Sequence, residues 1–173
     1  MADLWDEIAG GAAEESSLWA DCLRADPDRT PVFSPLGAAE HELGLETIYE
    51  GYLVHYGRSR LFAPADDDTA LLLGDYLYAH GLVRIAATHE VDAVADLSEL
   101  ISLSSQLRAE ERDGDGPLWA ATAALLGRRA LDAPFGALRL HSNPAPLDAA
   151  ARMAAGDDAV EAALAAHAVR RVR

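Results

Sequence analysis

Glu42, Glu46 and Glu50 recur at i, i+4 and i+8, with His41 and His55 near the two ends of the run. On a helix this spacing sets three carboxylates along one face, the disposition from which helix bundles assemble carboxylate–imidazole metal centres. Those centres also need an E-x-x-H pair, and the segment has none. The stripe therefore reads as a solvated acidic face, the ordinary place for a row of charge. No metal ligand set is assigned to the chain on this basis.

Other reactive side chains point to bland roles. His80 lies inside the apolar stretch "ALLLGDYLYAHGLVRIA", residues 70–86, with no second ligand in reach by sequence. It reads as a core or interface histidine. Ser102, Ser104 and Ser105 lie within a helical pattern and lack the glycine-flanked turn of a hydrolase nucleophile. Cys22 is alone, which removes both an internal disulfide and a cysteine zinc site and leaves a small buried hydrophobe. Arg58 and Arg60 flank a proline-containing loop, where arginines are ordinarily surface charges.

The elements that must carry these residues are helical. Half of the 173 residues are apolar and 6% aromatic, alanine and leucine dominate, and β-branched runs are scarce. The length suits one domain with its own core, divided into N-terminal helices and a proline-rich connection (1–33), a helical core (34–140) and a C-terminal helical tail (141–173). Residues 2–25 predict two short helices broken at Gly10-Gly11, and "ADPDRTPVFSP" is a connection after which Ser34 caps a helix starting at Pro35. Apolar and aromatic residues at 45, 48, 49, 52 and 56 form a helical stripe ending near Gly57. Asp66, Asp67 and Asp68 precede a helix that begins near Thr69 and runs to about His89, where acids cap and favour the positive end. Its apolar character on nearly every side predicts the most buried helix of the protein. Residues 92–111 form a further helix, Pro117 starts another, "DAPFGALRLHSNPAP" reads as a loop, and residues 147–170 make one or two alanine-rich helices. Arg170, Arg171 and Arg173 suit the negative end of the last of them.

The net charge is −15, from 29 acidic residues against 14 basic ones, all of them arginine. That balance excludes the basic stripe that nucleic-acid binding requires. The acidic N-terminus has no signal-peptide pattern and no apolar run spans a bilayer, so a cytoplasmic protein without a transmembrane segment is expected.

Residues 70–86 resemble the helix of trans-isoprenyl diphosphate synthases that reads roughly A-x-L-x-G-D-x-L-x-x-x-A. Residues 45–57, "LETIYEGYLVHYG", resemble the preceding family helix, E-x-x-H-x-x-x-L-x-H-D-D-x-x-D. Glu46, Leu53 and His55 fall on that pattern and Tyr49 replaces its first histidine. Tyr56, Gly57 and Arg60 stand where the family places three aspartates, the Arg-Arg-Gly loop is shortened away, "PLWAATAALLG" lacks the lysine of the later Lys-Thr helix, and no second D-D-x-x-D follows. The likeness spans residues 31–127.

The resemblance implies an all-α, single-domain bundle like part of the isoprenoid synthase fold, without its metal chemistry. Family enzymes hold magnesium between two aspartate clusters to stabilise the departing diphosphate, and lacking those carboxylates the metals have no anchor. It further implies a non-catalytic small subunit beside a catalytic polyprenyl diphosphate synthase, affecting product chain length, with magnesium supplied only through that partner. Arg58 and Arg60 remain the residues able to contact a diphosphate directly. The expected oligomer interface comprises Leu45, Ile48, Tyr49, Tyr52 and Tyr56, with Tyr76 and His80 on the next helix, since tyrosine brings large area and a polar tip. Two alternatives stand beside this reading: a homo-oligomeric helical interaction or small-ligand-binding protein, and an enzyme whose metal is held by Glu42, Glu46 and Glu50.

Overall fold

A chain this rich in alanine and leucine folds into helices almost throughout, as the computed structural model, which describes residues 3–171, shows. The described residues form nine α-helices: α1 (Leu4–Glu15), α2 (Ser17–Asp21), α3 (Glu42–Tyr56), α4 (Asp67–Ala86), α5 (Val91–Ala109), α6 (Asp115–Leu125), α7 (Asp132–His141), α8 (Ala145–Ala155) and α9 (Asp157–Arg170). Two 3-10 turns, Ser34–Leu36 and Ala39–His41, lead into α3. The one departure among the described residues is a single antiparallel bridge, Leu23 to Phe62, that joins the connections flanking α3. No described helix is long and apolar enough to cross a membrane.

Several boundaries differ from the sequence reading for local reasons. Helix α1 runs straight through Gly10-Gly11, and the break falls at Ser16, whose Oγ accepts from the Leu18 amide and so starts α2. Glycine costs a helix interior only about 1 kcal/mol, too little to end it when Trp5, Ile8 and Ala12 are buried on one face. Ser34 begins a single 3-10 turn rather than capping a helix at Pro35. The segment expected as a loop after residue 131 is α7, since Pro134 sits in the first turn, where its missing amide costs nothing, and Phe135 and Leu138 bury together. Residues 145–170 are two helices separated at Gly156, whose φ of 88° a side chain would strain. They are no peripheral tail: Leu147, Ala151, Val160, Ala163 and His167 are buried in the main core. The expected role of Arg173 falls outside the described residues.

The centre of the fold is an α3–α4 pair. Gly44 and Gly51 on α3 lie two turns apart, as do Gly74 and Gly81 on α4, and the helices meet along these four. A Cβ placed on Gly81 would stand 2.3 Å from Ile48 Cγ1 and 2.9 Å from the Gly44 carbonyl oxygen, and one on Gly51 would stand 3.0 Å from the Gly74 carbonyl. Only hydrogen at these positions lets the backbones approach so closely. Gly81→Ala is therefore expected to destabilise by roughly 1–3 kcal/mol, because the carbonyl it meets cannot move without separating the helices. Gly10→Ala, whose Cβ would meet nothing within 4 Å, is expected to stabilise by roughly 0.5–1 kcal/mol by restricting the unfolded chain. Urea denaturation of the two variants measures these opposite signs.

Helix α3 is the deeply buried one, with every residue from Gly44 to Val54 inside. Helix α4, expected to be the most buried, covers only the side that carries Ala70, Leu73, Gly74, Leu77, Tyr78, Gly81 and Ile85. Two apolar cores result. One centres on Phe33, Tyr49, Tyr52 and Trp119 between α3, α5, α6, α8 and α9. The other packs Trp5, Ile8, Trp19, Leu61, Phe62 and Leu73 beneath α1 and α2.

Candidate functional site

Along α3 the carboxylates at positions 46 and 50 fall one turn apart, and both point inward instead of lining a solvated face. Glu46, Glu50 and Arg60 are all essentially sealed from solvent. Arg60 Nη1 donates to Glu46 Oε2 at 2.7 Å and Nε donates to Glu50 Oε2 at 2.9 Å. The second oxygens are also taken. Glu46 Oε1 accepts from the amides of Val32 and Ser34 at 3.3 and 3.2 Å, while Glu50 Oε1 accepts from the Leu61 amide at 2.8 Å and from the Ser59 hydroxyl. The rings of Trp5 and Tyr49 lie 4.6 and 5.0 Å from the guanidinium carbon. Burial disfavours the Arg60 charge, yet the two carboxylates more than offset it and raise its pKa.

This arrangement staples the segments 30–34 and 59–61 to α3. Its oxygens are already committed to donors, and Arg60 cannot reach a diphosphate. Of the two arginines, only Arg58 is exposed. Its Nη2 donates to the Val169 carbonyl at 3.2 Å, beside a groove also lined by Arg24, Asp26, Asp28 and Arg170. The Asp28–Arg170 ion pair balances charge within that groove.

The tyrosine stripe is likewise spent inside the chain. Leu45, Ile48, Tyr49 and Tyr52 have at most 2% of their surface exposed, so these four expected interface residues are covered by the chain itself: Ile48 lies against Gly81 of α4, and Tyr49 and Tyr52 reach Trp119 of α6 and His167 of α9. Tyr52 donates to Asp115 Oδ2 and Tyr49 lies 2.9 Å from His167 Nδ1, whose Nε2 is 3.3 Å from the same Asp115 oxygen. An imidazole carrying its proton on Nε2 satisfies both contacts, accepting from Tyr49 and donating to Asp115. Arg171 Nε completes the cluster 3.1 Å from Asp115. Desolvation raises the Asp115 pKa, but the hydrogen bonds from His167 and Tyr52 and the nearby Arg171 charge outweigh it and bring it down to about 2. Burial pushes the Tyr52 and Tyr49 phenols up, so both remain protonated.

Tyr56, Tyr76 and His80 keep partial exposure. Tyr56 lies under the Arg108 guanidinium, whereas Tyr76 and His80 stack with ring centroids 4.7 Å apart at the edge of the outward side of α4. That side carries an apolar row, bordered by the exposed acids Asp68 and Asp75. Leu72, Tyr76, Ala79, Val83 and Ala86 recur at i, i+4, i+7, i+11 and i+14, opposite the glycine-lined face. Leu71 and Leu72 are each 55% exposed and Val83 66%. Beyond the helix end the same surface continues into a shallow concavity lined by Ala86, His89, Glu90, Val91 and Val94. The sequence signal for this face is the near-continuous apolar run of residues 70–86.

The ends of α3 and α4 carry one more feature that sequence spacing did not reveal. Among the described residues, Glu40, His41 and Glu90 bring metal-ligating atoms within 4.8 Å of one another. Glu90 is 49 positions from His41, so no local motif joins them. Glu42, the remaining member of the acidic stripe, is half-buried and not part of this group. No family model, no curated protein and no solved structure matches the chain.

Proposed function

We propose that the protein is a non-catalytic partner subunit that docks through the outward face of α4 onto a helical protein of the trans-polyprenyl diphosphate synthase kind. The observation that carries this reading is the apolar row Leu72, Tyr76, Ala79, Val83 and Ala86 on the surface of a chain of net charge −15. A helix apolar all round belongs in an interior, and here one side is covered by α3 while the other is not. A second helical body supplies the missing cover. The partner class comes from the likeness of residues 70–86 to the family's G-D-x-L helix, which is this same α4.

A scaffolding role fits the surroundings of α3. Tyr56 and Gly57 stand where the likeness would require carboxylates, and the chain there closes against the end of α9: the Arg58 amide donates to the Arg170 carbonyl at 2.8 Å. Trp119, Tyr49, Tyr52 and Phe33 fill the interior of the bundle with packed rings. Association rests on apolar burial and survives the loss of metal ligands.

Co-expression with a full-length prenyl synthase of the same organism, followed by affinity purification and light scattering, tests the proposal. The expected result is a hetero-oligomer, weakened at least about 100-fold by the double substitution Leu72→Asp, Val83→Asp, since each charge would be buried without a partner. Helicity and urea midpoint should stay unchanged, because both positions are exposed in the single chain. A chain that remains monomeric beside the synthase, or that pairs only with itself, overturns the reading.

A further inference from the structure

We propose that Glu40, His41 and Glu90 form a binding site for one first-row divalent cation, with zinc as its best occupant. Glu90 borders the concavity at the end of α4, but the ligand set is argued from its own geometry and does not depend on the partner reading. His41 is only 5% exposed, and neither of its ring nitrogens makes a hydrogen bond. A buried imidazole without hydrogen bonds is costly, and such groups commonly mark an ion-binding or other functional role. Its Nε2 lies 3.3 Å from Glu90 Oε2, and a Glu40 oxygen lies within 4.8 Å of a His41 ring nitrogen and of a Glu90 oxygen.

The distances suit a metal. Ligand atoms about 2.0–2.1 Å from a tetrahedral zinc stand roughly 3.3 Å apart, which is the His41–Glu90 separation. Glu40 is exposed, so its side chain can swing to the third position at little cost. One imidazole and two carboxylates favour zinc and its neighbours over magnesium, which takes all-oxygen shells. Three protein ligands leave a fourth position for water.

Placement gives the site a structural consequence. Glu40 and His41 form the 3-10 turn that leads into α3, and Glu90 is the residue before α5. A bound cation would clamp the entrance of α3 to the α4–α5 junction, two segments held in place by separate helices. Space at the junction is tight: a Cβ on Gly127 would stand 2.8 Å from Glu90 Oε2. Glycine at position 127 thus leaves room for the Glu90 carboxylate beside His41.

Titration of the chelator-stripped full chain with zinc chloride, followed by calorimetry and thermal unfolding, is the direct test. One equivalent should bind saturably and raise the unfolding temperature, with magnesium at least about tenfold weaker. Cobalt in place of zinc should give a visible spectrum of tetrahedral type. Glu40→Gln and Glu90→Gln each should weaken zinc binding at least about tenfold, as lost ligands do. Both carboxylates reach solvent, so these variants keep the test valid even if His41→Asn fails to fold. Absence of a saturable step overturns the proposal. So does zinc binding that is unchanged in Glu40→Gln or Glu90→Gln, because that would report the many other carboxylates of this acidic chain.

Discussion

Replacing Arg60 by methionine should lower the unfolding free energy by about 3–5 kcal/mol, the loss characteristic of a buried ion pair stripped of one partner. The substitution keeps most of the side-chain volume, so the effect is electrostatic. Glu46 and Glu50 would be left inside the protein with their negative charges opposed by backbone and hydroxyl donors only. The triple variant Arg60→Met, Glu46→Gln, Glu50→Gln isolates this origin. Its amide oxygens still accept from Val32, Ser34 and Leu61, while the uncompensated charge is gone, and it should recover more than half of the loss. Urea denaturation with unchanged m-values measures both steps. A cost below about 1 kcal/mol for the single variant, the range of exposed ion pairs, would show that the cluster is solvated.

Asp115→Asn should cost about 2–4 kcal/mol at neutral pH, the second largest effect expected. The carboxylate accepts from Tyr52 and faces His167 and Arg171 in a site that is 2% exposed. An amide oxygen keeps one acceptor but leaves Arg171 with only the exposed Asp113 as a carboxylate partner and turns an NH2 group toward other donors. The linkage sign is definite. Folding lowers the Asp115 pKa from 3.8 to about 2, so the carboxylate contributes stability that is complete above roughly pH 4 and is lost as the pH falls through about 2. Two pKa units correspond to about 2–3 kcal/mol. The difference in stability between wild type and Asp115→Asn should therefore shrink as solutions are acidified from pH 5 toward pH 2. A difference that stays constant over that interval would remove the charge from the explanation.

Helix positions were legible wherever a local signal carried them. Asp66 accepts from the Thr69 amide at 2.7 Å and starts α4 as its sequence pattern required. Val91–Ala109 follows the broad leucine face at positions 97, 100, 103 and 107. A glycine pair or a proline does not by itself end a helix. In α1 the buried face of Trp5, Ile8 and Ala12 holds the helix through two glycines, and in α7 a proline in the first turn is compatible with a helix.

The side chains assigned to function were harder to read, for a common reason. Periodicity tells which residues share a face, not what covers it. A row of glutamates at four-residue spacing looks the same whether it meets water or an arginine brought in by a loop. Arg60 is 14 positions from Glu46 and 10 from Glu50, and only the turn after α3 folds it back between them. The tyrosine stripe also has one pattern for two fates, and α6 and α9 decided that Tyr49 and Tyr52 close the chain's own core.

By itself the sequence determined the helical class, the negative surface charge and the apolar character of α4 on nearly every side, because composition and short-range spacing act before any tertiary contact forms. The tertiary structure alone decided that α3 takes the centre, through glycines that let α4 approach within backbone distance. It alone drew Glu46, Glu50 and Arg60 into one buried cluster and set His41 beside Glu90. These choices depend on residues far apart in the chain, whose attraction in a water-free interior has no counterpart in local pattern.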